Sequence, residues 1–142
     1  MNRFFADTNF LLDLAIVGRP GARAAADLFS LIETGEVVGI ASASSLKDFY
    51  YIARRDIAEA QRREWIRLFT DAFILTALDR ETCIIALDSD EPDFEDGIIR
   101  AMAEMENCDC IITRDANAFQ ESKVATLPAE KFLEKCVRTL QR

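Results

Sequence analysis

The chain has 142 residues, a formal net charge of −8 and no histidine. The length suits one ordinary domain that buries its own core, and the 50% apolar content is a globular balance. The lack of imidazole excludes Ser-His-Asp triads, Cys-His pairs and HExxH zinc sites, leaving carboxylates, 25 Asp plus Glu, as the abundant reactive groups.

The longest stretch without charge, Val37 to Leu46, is ten residues, too short to span a bilayer. The opening MNRFFADTNF lacks the long apolar segment of a secretory signal, so a cytoplasmic location with no membrane partner is expected. Cys83, Cys108, Cys110 and Cys136 form no CxxC pair, which argues against structural zinc and for free, buried thiols.

No repeat, low-complexity segment or linker divides residues 1–142, which read as a single domain. Arg3 to Ala6 reads as a buried strand ending at Asp7, followed by a short helix over Thr8 to Leu14. A helix entered at Pro20 puts Ala22, Ala25, Ala26, Phe29 and Ile32 on one face and stops at Gly35. Val37 to Ala41 is a second buried strand. Ser42, Ser44 and Ser45 offer caps for a helix reaching about Arg55. The next helix runs from Ile57 to about Ala72, with Ala58, Gln61, Trp65, Leu68 and Phe69 on one face. Phe73 to Leu78 reads as a strand, Asp79 to Asp88 as a helix capped by Asp79, and Phe94 to Asn107 as a helix opened by acids. Cys110 to Thr113 and Val124 to Thr126 are strands, and Pro128 to Val137 a last helix. Apolar strands alternating with helices predict an α/β sandwich with a mostly parallel central sheet.

Ligands in such folds sit beyond the carboxyl ends of the strands. Asp7 ends the first strand, Asp115 follows the fourth, Asp96 starts the helix before it, and Asp48 lies in the helix after the second strand. Four carboxylates converging there would repel one another, and a divalent ion such as Mg²⁺ would remove the conflict. Each has a plainer reading as well. Asp7 suits an N-cap, Asp48 a solvated helix face, Asp115 a loop turn, and Asp96 belongs to six acids in the nine residues 88–96 that favour a helix dipole.

Asp7-Thr8-Asn9, the stretch from Ser42-Ala43-Ser44 to Asp48-Phe49-Tyr50-Tyr51, Asp93-Phe94-Glu95-Asp96-Gly97, and Ile111-Ile112-Thr113-Arg114-Asp115 with Phe119 nearby occur in this order. Together they resemble the PIN-domain family over nearly the whole chain. The resemblance implies a PIN-like three-layer α/β/α sandwich and a Mg²⁺- or Mn²⁺-dependent endoribonuclease. Bacterial members of this size are often VapC-like toxins, so an RNA substrate, an antitoxin partner and a homodimer are implied too. By the same resemblance Asp7, Asp96 and Asp115 are metal ligands, with Asp93 as an additional acid. Asp48 completes the catalytic acids, Thr8, Asn9 and Thr113 orient ligands or water, and Arg114 is placed for a phosphate contact. The second acidic position is often Glu in this family. Asp48 is one methylene shorter, which favours contact through water over direct ligation.

Arg54, Arg55, Arg62, Arg63 and Arg67 cluster within 14 residues. They read either as a solvated face with partners such as Glu59–Arg63 or as a rim for phosphate or an acidic partner. Trp65 suits core or a dimer contact. Two functional alternatives stand beside the nuclease. One is a PIN fold that only binds, supported by Asp48. The other is an aspartate-dependent phosphatase of the haloacid dehalogenase type, which would want Asp where Asn9 stands.

Overall fold

The computed structural model describes residues 2–115 and 117–142. The strands are β1 (Asn2–Ala6), β2 (Val37–Ser42), β3 (Ile74–Thr76), β4 (Cys110–Ile112) and β5 (Ala125–Leu127). The helices are α1 (Thr8–Ala15), α2 (Ala22–Glu33), α3 (Ala43–Ile52), α4 (Glu59–Ala72), α5 (Arg80–Asp88), α6 (Phe94–Met105) and α7 (Ala129–Leu140). The five strands pair in parallel in the order β3-β2-β1-β4-β5. The expected α/β/α sandwich is therefore present, and its sheet is parallel throughout.

The central strand explains the layering. Successive side chains of a strand point to opposite faces, so Phe4 and Phe5 enter different cores. Phe4 joins Phe10, Leu28, Phe73 and Phe132 on one face. Its ring lies 5.3 Å from Phe10 and 5.4 Å from Phe132. Phe5 joins Ile40, Met102, Ile111 and Phe119 on the other. Both phenylalanines are fully buried. In register, Ala6 lies between Ala41 and Ile112, so three strands end side by side. The order reverses between β1 and β4, which makes their carboxyl ends the switch point of the sheet.

Local chemistry sets the helix bounds. Ser42 caps α3 by accepting from Ser44 N at 3.1 Å, and Asp79 caps α5 by accepting from Thr82 N at 3.0 Å. α2 starts at Ala22, because Pro20 falls in the preceding turn and Gly21 is the N-cap. α6 stops at Met105, short of the expected Asn107, because Asn107 adopts φ 53° and turns the chain. α3 tightens into a 3₁₀ turn over Ala53–Arg55, and Ile57 is buried ahead of α4. β3 is shorter than the expected Phe73 to Leu78, since only Ile40–Ser42 of β2 lies beside it.

Two expected faces differ. Ala26 is exposed, while Ala24 and Leu28 are buried in α2. On α4 only Phe69 is buried, and Ala58, Gln61 and Leu68 face outward. Trp65 is half-buried, 5.7 Å from the Phe69 ring. The cysteines are free, and burial pushes the Cys108 and Cys110 thiols up to about 12. No helix among the described residues is long and apolar enough to cross a membrane.

Gly39 lets α2 and Phe73 approach β2. A Cβ there would lie 2.6 Å from Ile32 Cδ1 and 2.7 Å from Phe73 Cε1. Gly39→Ala is expected to destabilise the protein by about 1–3 kcal/mol through overpacking, read from the midpoint of urea unfolding at unchanged slope.

Candidate active site

Asp7 leaves β1 in an extended conformation and caps α1, its Oδ1 accepting from Phe10 N at 3.0 Å. The capping reading and the site reading thus apply to one residue. Asp7 also lines a cleft of about 360 Å³ together with Thr8, Asn9, Ser42, Ser44, Lys47, Asp48, Glu95 and Asp96. Asp96 is placed by the start of α6, where its N–H donates to the capping carboxylate of Asp93 at 3.0 Å. Asp48 reaches the cleft from the exposed face of α3.

Asp115 sits in the loop after β4. Its N–H donates to Thr113 Oγ1 at 3.0 Å, and its Oδ1 accepts from Asn117 N at 2.9 Å. Thr113 therefore supports the predicted acid. Asp115 does not line the cleft among the described residues, but its charge acts on Asp96.

The electrostatics are unfavourable for bare carboxylates. Burial raises the Asp7 pKa from 3.8 to about 6, opposed by the Phe10 hydrogen bond and by Arg114, and assisted by Asp13 and Asp96. Asp96 is raised as well, first by desolvation, then by Asp93, Glu91, Asp115 and Glu95. These hard oxygen donors suit a cation that neutralises them and keeps water in its shell. Among the described residues, no three Cys, Asp or Glu side chains stand ready to hold a metal ion.

Arg114, foreseen as a phosphate contact, pairs with the Asp13 carboxylate. Its Nη1 lies 2.8 Å from Asp13 Oδ2, and its Nη2 3.3 Å from Oδ1. Arg19 Nε holds Asp13 Oδ1 at 2.7 Å and donates through Nη2 to Asn9 at 3.2 Å. Asp13 is only 7% exposed. Gly21 admits the pair, since a Cβ there would strike both Asp13 and Arg114. Asp13, Arg19 and Lys47 are charged site neighbours that nothing in the sequence motifs singles out. Arg19, six residues from Asp13, is a signal in hindsight; Arg114, 101 residues away, is not.

The arginines after α3 form a partnered face. Glu59 takes Arg63 at 2.9 Å and Arg62 at 3.0 Å. Arg62 lies over the Tyr50 ring at 4.4 Å, and Arg54 over Tyr51 at 3.8 Å.

A parallel α/β sandwich with acids gathered at its switch point defines a class of strand-end acidic site, and the sequence places it in a family. The PIN domain matches residues 3–117, and the chain belongs to that family. No curated protein matches the sequence. Among solved structures, VapC20 of Mycobacterium tuberculosis, described as a sarcin-ricin loop cleaving toxin, superposes with a TM-score of 0.64 at 15% identity over 80% of this chain and 91% of that one. FitAcB from Neisseria gonorrhoeae gives 0.63 at 20% identity over 89% and 98%. VapBC2 from Rickettsia felis, bound to a DNA fragment from their promoter, gives 0.62 at 14% identity over 89% and 98%. At these identities the likeness concerns the fold.

The raised Asp7 pKa has a testable sign. Below pH 3.8 the carboxyl is protonated folded and unfolded alike. As pH rises through about 6 the folded protein must ionise it, and stability falls. In EDTA, Asp7→Asn is expected to gain about 1–3 kcal/mol over the wild type at pH 7, because Asn still caps the helix. The gain should vanish near pH 4, as read by thermal melts across that range.

Proposed function

We propose that the protein is a divalent-metal-dependent endoribonuclease that hydrolyses RNA phosphodiester bonds. The convergence of Asp7 and Asp96 in one cleft at the sheet's switch point carries this reading. Membership of the PIN family supports it and sets the phosphatase alternative aside. The fold likeness to VapC20, a toxin that cleaves the sarcin-ricin loop, supports RNA as the substrate class. We extend the reading to a cytoplasmic toxin paired with an antitoxin. The resemblance to VapC-like toxins and the fold likeness to VapBC2 support that extension.

Mg²⁺ or Mn²⁺ would be held by Asp7, Asp96 and Asp115, with Asp93 and Asp48 as further acids. When bound, such an ion supplies an activated water and neutralises charge on the phosphate. The chain's own residues fix the donors. Phe10 N–H holds Asp7, Asp93 sets the first turn of α6 and so Asp96, and Thr113 turns the chain into Asp115. Lys47 lines the cleft wall as a second candidate phosphate contact, beside Arg114, whose partly exposed guanidinium pairs with Asp13.

Purified protein is expected to cleave a panel of structured and single-stranded RNAs with Mg²⁺ or Mn²⁺. EDTA should stop it, and Asp96→Asn should reduce it by more than about a hundredfold, beyond what outer partners of a metal site carry. Metal binding without cleavage of any RNA would favour the binding-module alternative. Lys47→Ala is expected to weaken RNA binding across sequences and to flatten the slope of log K against log salt by about 0.7 for single strands. A salt titration of binding in EDTA measures it.

A further inference from the structure

The loop that carries Asp115 continues through residues 117–124 to β5, and this second half is fastened to α6 by Arg100 and Glu104. Arg100 Nη2 donates to the Glu121 carbonyl at 2.9 Å. Its Nε donates to Glu104 Oε1 at 3.2 Å. That oxygen also accepts from Ser122 Oγ at 3.1 Å and from Lys123 N at 3.2 Å. On its other side, Arg100 Nη1 meets Asp90 Oδ1 at 2.5 Å and stands 3.7 Å from Glu91 Oε1. Glu91 in turn accepts from Phe119 N at 3.2 Å. Phe119 adopts φ 62°, an unfavourable conformation for a bulky side chain, and its ring is buried in the core around Phe5. The loop is thus held by side chains of α6 and of the segment before it, since its own backbone is strained at Phe119.

The guanidinium is largely buried, with 13% of the side chain exposed, and the Glu91 side chain is 3% exposed. Glu91 Oε1 makes no hydrogen bond among the described residues, so Arg100 is the charge that compensates it. A planar fork can serve three carboxylates and a carbonyl at once, which an ammonium cannot. Asp96 lies four residues before Arg100 on the same helix, one turn away on the same side.

We propose that Arg100 is a positioning residue of the candidate site, docking residues 117–123 onto α6 and thereby fixing Asp115 against Asp96. The proposal rests on the nuclease reading. It assigns a task to a charge network that touches no acid of the cleft except through the loop and helix it joins.

The test compares wild type, Arg100→Met, Arg100→Lys and Glu104→Gln by three measurements. Amide hydrogen exchange without metal reads loop docking. Calorimetry with Mn²⁺ reads the site. RNA cleavage against Mn²⁺ concentration reads function. In Arg100→Met, the amides of Phe119 and Lys123 should exchange at least about tenfold faster while β1 and β2 stay protected. Mn²⁺ should bind about 10–100-fold more weakly, the usual effect of losing an outer partner of a metal site. Cleavage should recover at high Mn²⁺, which a general loss of fold would not allow. Arg100→Lys should fall between the two. If Arg100→Met does not fold, Glu104→Gln, which keeps volume and removes charge from the acceptor of Ser122 and Lys123, should show the same pattern in weaker form. Wild-type Mn²⁺ affinity in a variant whose loop exchanges faster would overturn the proposal, as would unchanged exchange. A wild type that neither binds Mn²⁺ nor cleaves RNA would sink the nuclease reading, and this proposal with it. Failure confined to the variants' expected behaviour would sink the proposal alone.

Discussion

The central strand has to be dry on both faces, and that requirement decides where the chemistry can sit. Phe4 and Phe5 fill opposite cores, and β2 and β4 flank the second half of β1, so Phe4 to Ala6 are fully buried. The first polar side chain after this buried run is Asp7, at the carboxyl end of the strand. Because the neighbouring strand β4 ends in register at Ile112, its first polar residues, Thr113 and Arg114, emerge beside Asp7. Because α6 packs its Met102 and Ala103 on the Phe5 face, the start of that helix brings Asp96 to the same end. The site follows from the packing of two phenylalanines and from the place where the strand order reverses.

Gathering acids in a partly buried cleft works against folding, and the surroundings show how the cost is contained. Two arginine hubs flank the site. Asp13 is held by Arg19 and Arg114 on the α1 side, and Asp90, Glu91 and Glu104 surround Arg100 on the α6 side. Both hubs neutralise acids that support the cleft. Arg114 eases Asp7 only partly, because burial outweighs it, and Asp96 is pressed by four other carboxylates. The supporting acids are compensated and the central ones are left in tension. In a chain with a net charge of −8, arginines are spent where they hold structure together around the site.

What was legible in the sequence was short-range or periodic. The apolar runs of β1 and β2 marked buried strands, and Ser42 and Asp79 could be read as caps because a cap and its partner lie within three residues. Asp7, Asp48 and Asp96 were found from order and spacing, and they do line one cleft. What was hidden depends on distant partners. Nothing near Asp13 signals Arg114, and nothing near Arg100 signals Glu121. Glu91 looked like one more acid favouring a helix dipole, yet it is nearly buried and holds Phe119. The α4 face was only partly legible because amphipathic spacing reports a stripe, whereas how deeply the stripe is buried depends on neighbours; Phe69 is fully buried, and Trp65 and Ile66 pack partly buried against the core.

Asp48 differs from the other acids in kind. Asp7 and Asp96 are half-buried and held by backbone hydrogen bonds at helix starts, whereas Asp48 is exposed within α3, next to Lys47 on the same cleft wall. An Asp is shorter than a Glu by one C–C bond, roughly 1.5 Å. On a helix whose first turn is fixed by the Ser42 cap, the backbone cannot advance to make up that distance. Under the proposed nuclease reading, a residue in this position would act on an ion through water and through its charge. The shorter side chain leaves that wall more open beside Lys47, with the half-buried pair Asp7 and Asp96 deeper in the cleft.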